Sequence, residues 1–250
     1  YLQILRRFLI NYTSSGMRWT YAFAYDPFGR RIRKTIVQDQ IGTDCQSPKV
    51  CPRTTNYVYD GQSIIMEYDQ SNNIIAKYTH GLNIDEPLAV QQGTNTYYYH
   101  ADGLGSITSL SNTSGSIVQT YTYDSFGNMT AIGSISQPYA YTGREYDQET
   151  GMYFYRARYY DPKVGRFVTK DPIGFEGGIN QYAYVLNNPV NKIDPLGLYE
   201  SLFGPRFEGD KSPGRNFYDE WPFNGNLFPT SDNAQDWECS KPAQRLNKCQ

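Results

Sequence analysis

The sequence predicts an all-β protein built from stacked hairpins. Tyrosine is abundant, with 24 among 250 residues, and tyrosine suits strands that are half buried and have one wet end. Large side chains alternate with small or polar ones at a period of two, as half-buried strands require. A Tyr-Asp pair followed by Gly or Asn recurs along the chain and supplies turns. A lone hairpin is marginally stable, so these repeats predict hairpins that stack on one another.

Charge and composition exclude several classes of function. The 23 Lys and Arg residues nearly balance the 25 Asp and Glu residues, which argues against nucleic acid binding by the core. No apolar run approaches the roughly 18 residues that a membrane span needs, so we expect none. With two His and four Cys, and no C-x-x-C motif, we expect no metal site and no cofactor.

The first 36 residues contain the first complete hairpin. Residues 1–13 are mostly apolar and aromatic, around Arg6 and Arg7, and suit either a strand or a short helix. From Trp19 to Tyr25, aromatic side chains alternate as in a strand. Asp26-Pro27-Phe28-Gly29 then supplies a turn, because proline presets φ and glycine tolerates positive φ. The chain should return as a strand from Arg30 to Ile36.

Residues 37–56 interrupt this alternation. They are polar, contain two prolines, and are expected to form an inserted loop. The four cysteines leave two alternatives open, since pairing does not follow from sequence. Either there are two local disulfides, Cys45–Cys51 and Cys239–Cys249, or the thiols are free in a reducing compartment.

Strict alternation returns over residues 97–130. Ile107–Leu110 and Ile117–Tyr123 are predicted to be paired strands. His100, Asp102 and Ser106 are close in sequence and raise the question of a hydrolytic triad. Asp102 opens an Asp-Gly-Leu-Gly run, which favours a turn over an active site.

The chain changes character after Leu198. Two Asp-Pro-x-Gly units, 171–174 and 194–197, precede this point, and only two of the tyrosines follow it. We therefore predict a repeat domain over 1–198 and an irregular C-terminal tail over 199–250. The chain starts in mid-pattern without Met, so we expect it to be a fragment of something longer.

In the order of its motifs, the sequence resembles the Rhs / YD-repeat family, and specifically the Rhs-repeat-associated core region of that family. Single Tyr-Asp units are weak signals, but the terminal P-x-x-x-x-D-P-x-G-L motif is specific. The matching segments are Tyr25–Arg30, Tyr97–Asn128, Tyr141–Asp147, Gly151–Pro162, Gly165–Phe167, Asp171–Gly174, Asn187–Pro189 and Pro189–Leu198, the last containing Pro189, Asp194, Pro195, Gly197 and Leu198.

The resemblance implies a fold and a function. Family members wind a β-sheet into a hollow shell around a variable C-terminal polypeptide, in many cases a toxin, and the core region plugs one end and cuts the chain after the motif's leucine. Here that bond is Leu198–Tyr199, so the chain would be the closing end of an Rhs-type β shell with its own tail as cargo. The resemblance also implies a secreted or cell-surface bacterial protein, with secretion machinery and an immunity protein as further partners. No toxin activity is identifiable in the tail.

Carboxylates are the chemistry that the sequence offers for this cut. A close pair of carboxylates cannot both ionise cheaply, so one donates a proton while the other accepts one. We assign this acid/base work to Asp171 and Asp194, with electrostatic support from Arg166, in a single-turnover, aspartyl-type self-cleavage. The alternative is that both aspartates only cap turns, in a non-cleaving structural or adhesive YD-repeat surface protein.

Overall fold

The computed structural model describes residues 6–14, 17–40, 53–198 and 201–202, with side chains described for 20–37 and 53–198. The described residues form strands, turns and short 3-10 turns, without an α-helix, which confirms the all-β prediction. All four cysteines and residues 203–250 lie outside them, so the disulfide alternatives and the tail's irregular structure stay predictions.

The first sheet has eleven antiparallel strands, and each strand pairs with its neighbours in sequence. This order is the one expected of stacked hairpins. The strands are β1 (Arg6–Ser14), β2 (Met17–Tyr25), β3 (Arg31–Gln40), β4 (Arg53–Asp60), β5 (Ser63–Tyr68), β6 (Ile74–His80), β7 (Pro87–Gln92), β8 (Asn95–Ala101), β9 (Ile107–Asn112), β10 (Ile117–Tyr123) and β11 (Met129–Gly133). We call it the repeat sheet.

The strand boundaries settle three expectations. Residues from Arg6 onward in the N-terminal segment form a strand rather than a helix. The inserted loop expected at 37–56 is too wide, because β3 pairs with β2 as far as Gln40 and β4 pairs with β3 from Arg53. The paired strands expected after residue 106 are β9 and β10.

A smaller unit follows, over residues 139–198. Its sheet contains β12 (Glu145–Asp147), β13 (Met152–Tyr155), β14 (Arg158–Asp161) and β15 (Arg166–Phe167), in that order. Three 3-10 turns lie at Tyr141–Gly143, Gly174–Gly177 and Val185–Asn187. The short strand β16 (Lys192–Ile193) pairs with β17 (Ser201–Leu202), on the far side of the predicted cut.

Tyrosines pack this unit against the repeat sheet. The rings of Tyr141, Tyr153 and Tyr160 are buried together in an aromatic cluster. Their hydroxyls donate to three successive carbonyls, of Ser125, Gly127 and Phe126 respectively, at 2.9, 2.8 and 2.8 Å. Those carbonyls form the turn between β10 and β11. Buried tyrosine needs such partners for its hydroxyl, so the tyrosines fix one turn of the repeat sheet onto the smaller unit.

Arg31 makes a second connection between the two sheets. Its side chain is 1% exposed and pairs with Glu145 at 2.7 Å and Asp147 at 2.5 Å, both on β12. Its guanidinium also lies 4.7 Å from the ring centroid of Phe154. Burial opposes ionisation of Asp147, but Arg31 and Lys34 overcome it and lower the pKa of that carboxyl. A buried cation is tolerable only when paired in this way.

Candidate functional site

Asp171 and Asp194 come together at one guanidinium group, that of Arg158. Nη2 of Arg158 lies 2.9 Å from Oδ2 of Asp171 and 3.4 Å from Oδ2 of Asp194. All three side chains are buried. The guanidinium carbon also stacks 3.6 Å from the ring centroid of Phe167. Two carboxylates 23 residues apart in sequence thus share one cation in a space closed to solvent.

The Asp-Pro-x-Gly turns explain how both side chains reach this place. In each turn Oδ1 accepts a backbone N–H, from Ile173 at 3.0 Å for Asp171 and from Leu198 at 3.0 Å for Asp194. Oδ2 of each aspartate is then left to face Arg158. Each aspartate therefore caps its turn through Oδ1 and faces the shared guanidinium group through Oδ2.

Ordinary Tyr-Asp turns in this chain differ at the second oxygen. Oδ2 of Asp69 accepts a hydrogen bond from the side chain of Asn73 at 2.9 Å, and Oδ2 of Asp124 accepts one from Asn128 at 2.6 Å. These hydrogen bonds from side chain and backbone hold the pKa of Asp69 below its ordinary value. In such turns both oxygens are satisfied within five residues, and no oxygen is left for a distant partner.

Burial shifts the pKa values of the ionisable groups in the site toward neutral pH. It raises the pKa of Asp194 to about 6, against the opposing effects of Arg158 and the N–H groups of Leu198 and Gly197. Burial likewise raises the pKa of Asp171. It lowers the pKa of Arg158, against the attraction of the two carboxylates. A carboxyl group that exchanges its proton near pH 6 is suited to acid–base chemistry.

The turn before β14 holds the peptide that leads to Leu198. Three consecutive residues donate to three consecutive carbonyls: Arg156 Nη1 to Pro195, Ala157 N–H to Leu196 at 3.1 Å, and Arg158 Nε to Gly197 at 2.5 Å. Gly197 has φ +68°, and an added side chain there would collide with the carbonyl of Tyr155. The backbone at 195–197 is therefore fixed on one side by hydrogen bonds and close packing.

Gly177 leaves space beside the carbonyl of Leu198. A methyl group placed on Gly177 would lie 2.5 Å from Oδ2 of Asp171 and 3.1 Å from the carbonyl oxygen of Leu198. The carboxylate and the carbonyl of the bond predicted to break therefore border the same small space. Tyr199, the other side of that bond, lies outside the described residues.

Arg166 is not part of this group, and its predicted place in the site is wrong. It is exposed on β15, pairs through its backbone with Asp161 and Ala183, and forms no ion pair with a described residue. Its position places its side chain on the face opposite the buried Phe167. Arg158 occupies the place expected of it. The signal for Arg158 is its period-two spacing from the core residue Tyr160 in an aromatic strand.

The other residues singled out in the sequence take part in packing and in turn hydrogen bonds. Pro189 is buried, and its carbonyl accepts from Tyr141 at 3.4 Å. Oδ1 of Asp102 accepts two turn N–H groups, while Ser106 accepts from the backbone of Thr142. The turn interpretation of that segment is thus confirmed. Within the described ranges, no cluster of three metal-ligating side chains occurs and no helix is long and apolar enough to cross a membrane.

Comparison with known proteins gives a family match and relatives of varied kinds. A family model described as Teneurin YD-shell matches residues 8–190. The tRNA nuclease WapA of Bacillus subtilis (strain 168) is 37% identical over 185 residues, covering 70% of this chain and 7% of WapA. Double-stranded DNA deaminase toxin A of Burkholderia cenocepacia (strain H111) is 30% identical over 206 residues, covering 73% of this chain and 14% of the toxin.

Two further comparisons widen the range. Salivary gland surface protein 1 of Aedes aegypti is 32% identical over 206 residues, covering 69% of this chain and 6% of that protein. The crystal structure of TcdB2-TccC3 superposes with a TM-score of 0.57 at 21% identity, covering 77% of this chain and 10% of that one. The chain therefore spans a small part of each relative's length, and the structural likeness establishes a shared fold.

Proposed function

Because this chain belongs to the Teneurin YD-shell family and is similar to proteins named as a tRNA nuclease and a DNA deaminase toxin, we propose that it is the C-terminal core of a secreted bacterial Rhs protein that cuts itself once, after Leu198. The observation that carries this proposal is the pairing of Asp171 and Asp194 on Arg158, with Asp171 and the carbonyl of Leu198 facing the same small space beside Gly177.

The pair supplies an acid and a base for peptide hydrolysis. Asp194, whose pKa is raised to about 6, holds the one proton of the pair and donates it to the Leu198 carbonyl oxygen as water adds to the carbonyl carbon. Asp171, whose carboxylate faces the same small space beside Gly177 as that carbonyl, accepts the proton from the water. This proton then passes from Asp171 to the nitrogen of Tyr199, the C–N bond breaks, and a hydroxyl of the intermediate returns its proton to Asp194. The products are a Leu198 carboxyl group and a free amine on Tyr199. Arg158 stabilises negative charge on the pair throughout.

Intact mass measurement of the purified chain tests the proposal directly. We expect two products that divide between Leu198 and Tyr199 for the wild type. Asp194→Asn and Asp171→Asn should each leave a single full-length species, because an amide cannot exchange the required proton. Asp124→Asn, which alters an ordinary turn aspartate, is the matched control and should cleave normally. Cleavage in both site variants would reject the mechanism.

Release of the tail gives the cut its purpose. We propose that the shell encloses or presents residues 199–250 as a toxin-type polypeptide. The relatives named as a nuclease and a deaminase toxin support this idea, since one repeat architecture accompanies different activities. Secretion machinery and an immunity protein would be the external partners. Expression of the tail alone, with growth as the measured property, tests for toxicity; normal growth would count against it.

A structural or adhesive role without cleavage is the second candidate. It is favoured by one observation, that Oδ1 of both aspartates caps its turn as in the ordinary repeats. The resemblance to a surface protein of Aedes aegypti is compatible with it. A wild-type chain that stays intact through purification and prolonged incubation would favour this alternative.

A further inference from the structure

The peptide before the predicted cut is linked through Arg156 to Asp85, in a loop of the repeat sheet. Asp85 lies in the loop between β6 and β7 and reaches into the smaller unit, where its side chain is 9% exposed. Its φ of +59° is a conformation that favours glycine, and its carbonyl packs so closely on Gly143 that a side chain there would collide. Strained backbone of this kind persists where the surroundings fix it, and it is common at functional sites.

Two arginines of the smaller unit bind this one carboxylate. Oδ1 of Asp85 lies 2.5 Å from Nη1 of Arg144 and 2.7 Å from Nη2 of Arg156, and Oδ2 lies 3.1 Å from Nη1 of Arg156. The pair with Arg156 is therefore bidentate, which fixes the plane of that guanidinium. Burial opposes ionisation of Asp85, but the two guanidinium groups overcome it and lower the pKa of the carboxyl.

Arg156 uses the same nitrogen to hold the cleavage peptide. Its Nη1 donates both to Asp85 and to the carbonyl of Pro195, the first of the three carbonyls fixed ahead of Leu198. The next two are fixed by Ala157 and Arg158. A connected path of hydrogen bonds thus runs from the repeat sheet through Arg156 to the peptide that is cut.

We propose that Asp85 is a positioning residue for the cut after Leu198, acting through Arg156 on the Pro195 carbonyl. The inference rests on the proposed self-cleavage and adds that the repeat sheet completes the site. Correct placement of a reacting group matters because a displacement of about 1 Å can cost about 100-fold in rate. Asp171 and Asp194 do not contact Asp85, so the pKa values of these two carboxyl groups should be independent of Asp85.

The test measures the rate of cleavage of the full chain in wild type and variants. Each chain is synthesised by cell-free translation with a short radioactive pulse, and the intact fraction is followed on denaturing gels from about pH 5.5 to pH 8.5. Asp85→Asn should slow cleavage at least about tenfold, because an amide cannot hold two guanidinium groups in place. Its pH midpoint should match that of the wild type, and Asp85→Glu should restore part of the rate.

Two further variants separate positioning from general stability. Arg156→Met keeps much of the side-chain volume, leaves Arg144 paired with Asp85, and should slow cleavage as Asp85→Asn does, even if the latter folds poorly. Asp147→Asn removes a carboxylate that is more deeply buried than Asp85, in the Arg31 ion pair and outside the path from Asp85 to Pro195, and should cleave at the wild-type rate per folded molecule.

The outcomes distinguish this inference from the proposed function. If the wild type cleaves and both Asp85→Asn and Arg156→Met cleave equally fast, the positioning role is rejected and self-cleavage stands. If Asp147→Asn slows cleavage as much as Asp85→Asn, the effect is one of stability and the positioning role is again rejected. If the wild type does not cleave, both are rejected together.

Discussion

The rate of self-cleavage should fall steeply as pH rises above about 6. Burial raises the pKa of Asp194 to about 6, and the proposed step needs one proton on the carboxyl pair. Half of such a group is protonated at its pKa and about one-hundredth of it two pH units higher, so the rate should drop about 50-fold between pH 6 and pH 8. Below this range the rate should level off or decline as the pair gains a second proton.

Stability has to be separated from chemistry in this experiment. The folded-state pKa of Asp194 lies above its unfolded value, so the stability that this carboxyl contributes is fully present below the ordinary pKa and is lost as pH rises through about 6. Asp194→Asn should not cleave, and its amide does not titrate. Its circular dichroism across the same pH range therefore reports how much of the remaining chain stays folded.

The assay begins with chain made at about pH 8, where cleavage should be slowest, and then diluted into buffers down to about pH 5.5. The intact fraction is followed with time, and the cut position is confirmed by mass. Asp147→Asn serves as a second control. The pKa of Asp147 is lowered, so its carboxyl group should stay ionised over the pH range of the assay. A rate that is flat or rises from pH 6 to pH 8 would refute the shared-proton mechanism.

Three further changes have defined outcomes. Gly177→Ala should abolish cleavage in a chain that still folds, because the methyl group takes the space that the Asp171 carboxylate and the Leu198 carbonyl both face. Intact mass measures cleavage and thermal melting measures folding. Normal cleavage would contradict this geometry. Arg158→Lys should slow cleavage at least about 100-fold, because lysine lacks the planar group that binds both carboxylates through one nitrogen and the carbonyls of Gly197 and Gln181 through the other two. Arg166→Lys should leave the rate unchanged. Arg31→Met should lower the free energy of unfolding by about 3–5 kcal/mol in urea, because it strands two buried carboxylates; a change under about 1 kcal/mol would mean that the sheets do not depend on this pair.

The fold was largely accessible from sequence because its determinants are local. Alternation and turn chemistry act within about ten residues, so the hairpin from Trp19 through Ile36 and the pair β9–β10 could be placed from spacing alone. The inserted loop was drawn too wide because the polar residues at its two ends continue the strand pairing of β3 and β4. A polar sequence indicates exposed side chains, but the backbone of exposed residues can still form the hydrogen bonds of a strand.

The site was accessible only in part. The two aspartates could be found because each opens a recognisable turn, but the cation between them could not be chosen by distance along the chain. Arg166 is five residues from Asp171 and points away, while Arg158 is 13 residues away and lies between the carboxylates. Side chains alternate between the two faces of a strand, so whether an arginine points inward depends on which alternating set of positions it belongs to. The packing of Tyr160 and Phe167 fixes which set faces inward.

The residue four positions after the aspartate separates the two site turns from the ordinary turns compared above. In the turns of Asp69 and Asp124 that residue is asparagine, whose side chain occupies Oδ2. After Asp171 and Asp194 it is Phe175 and Leu198, which have no side-chain donor, so Oδ2 must find a partner elsewhere. Burial then makes Arg158 that partner and raises the pKa of both carboxyls. An apolar residue at this position, together with burial, is therefore what converts a repeat turn into a group able to exchange a proton. By the same reasoning, Leu198→Asn should give Asp194 a local donor and lower its pKa, and cleavage should fail while the turn itself is retained.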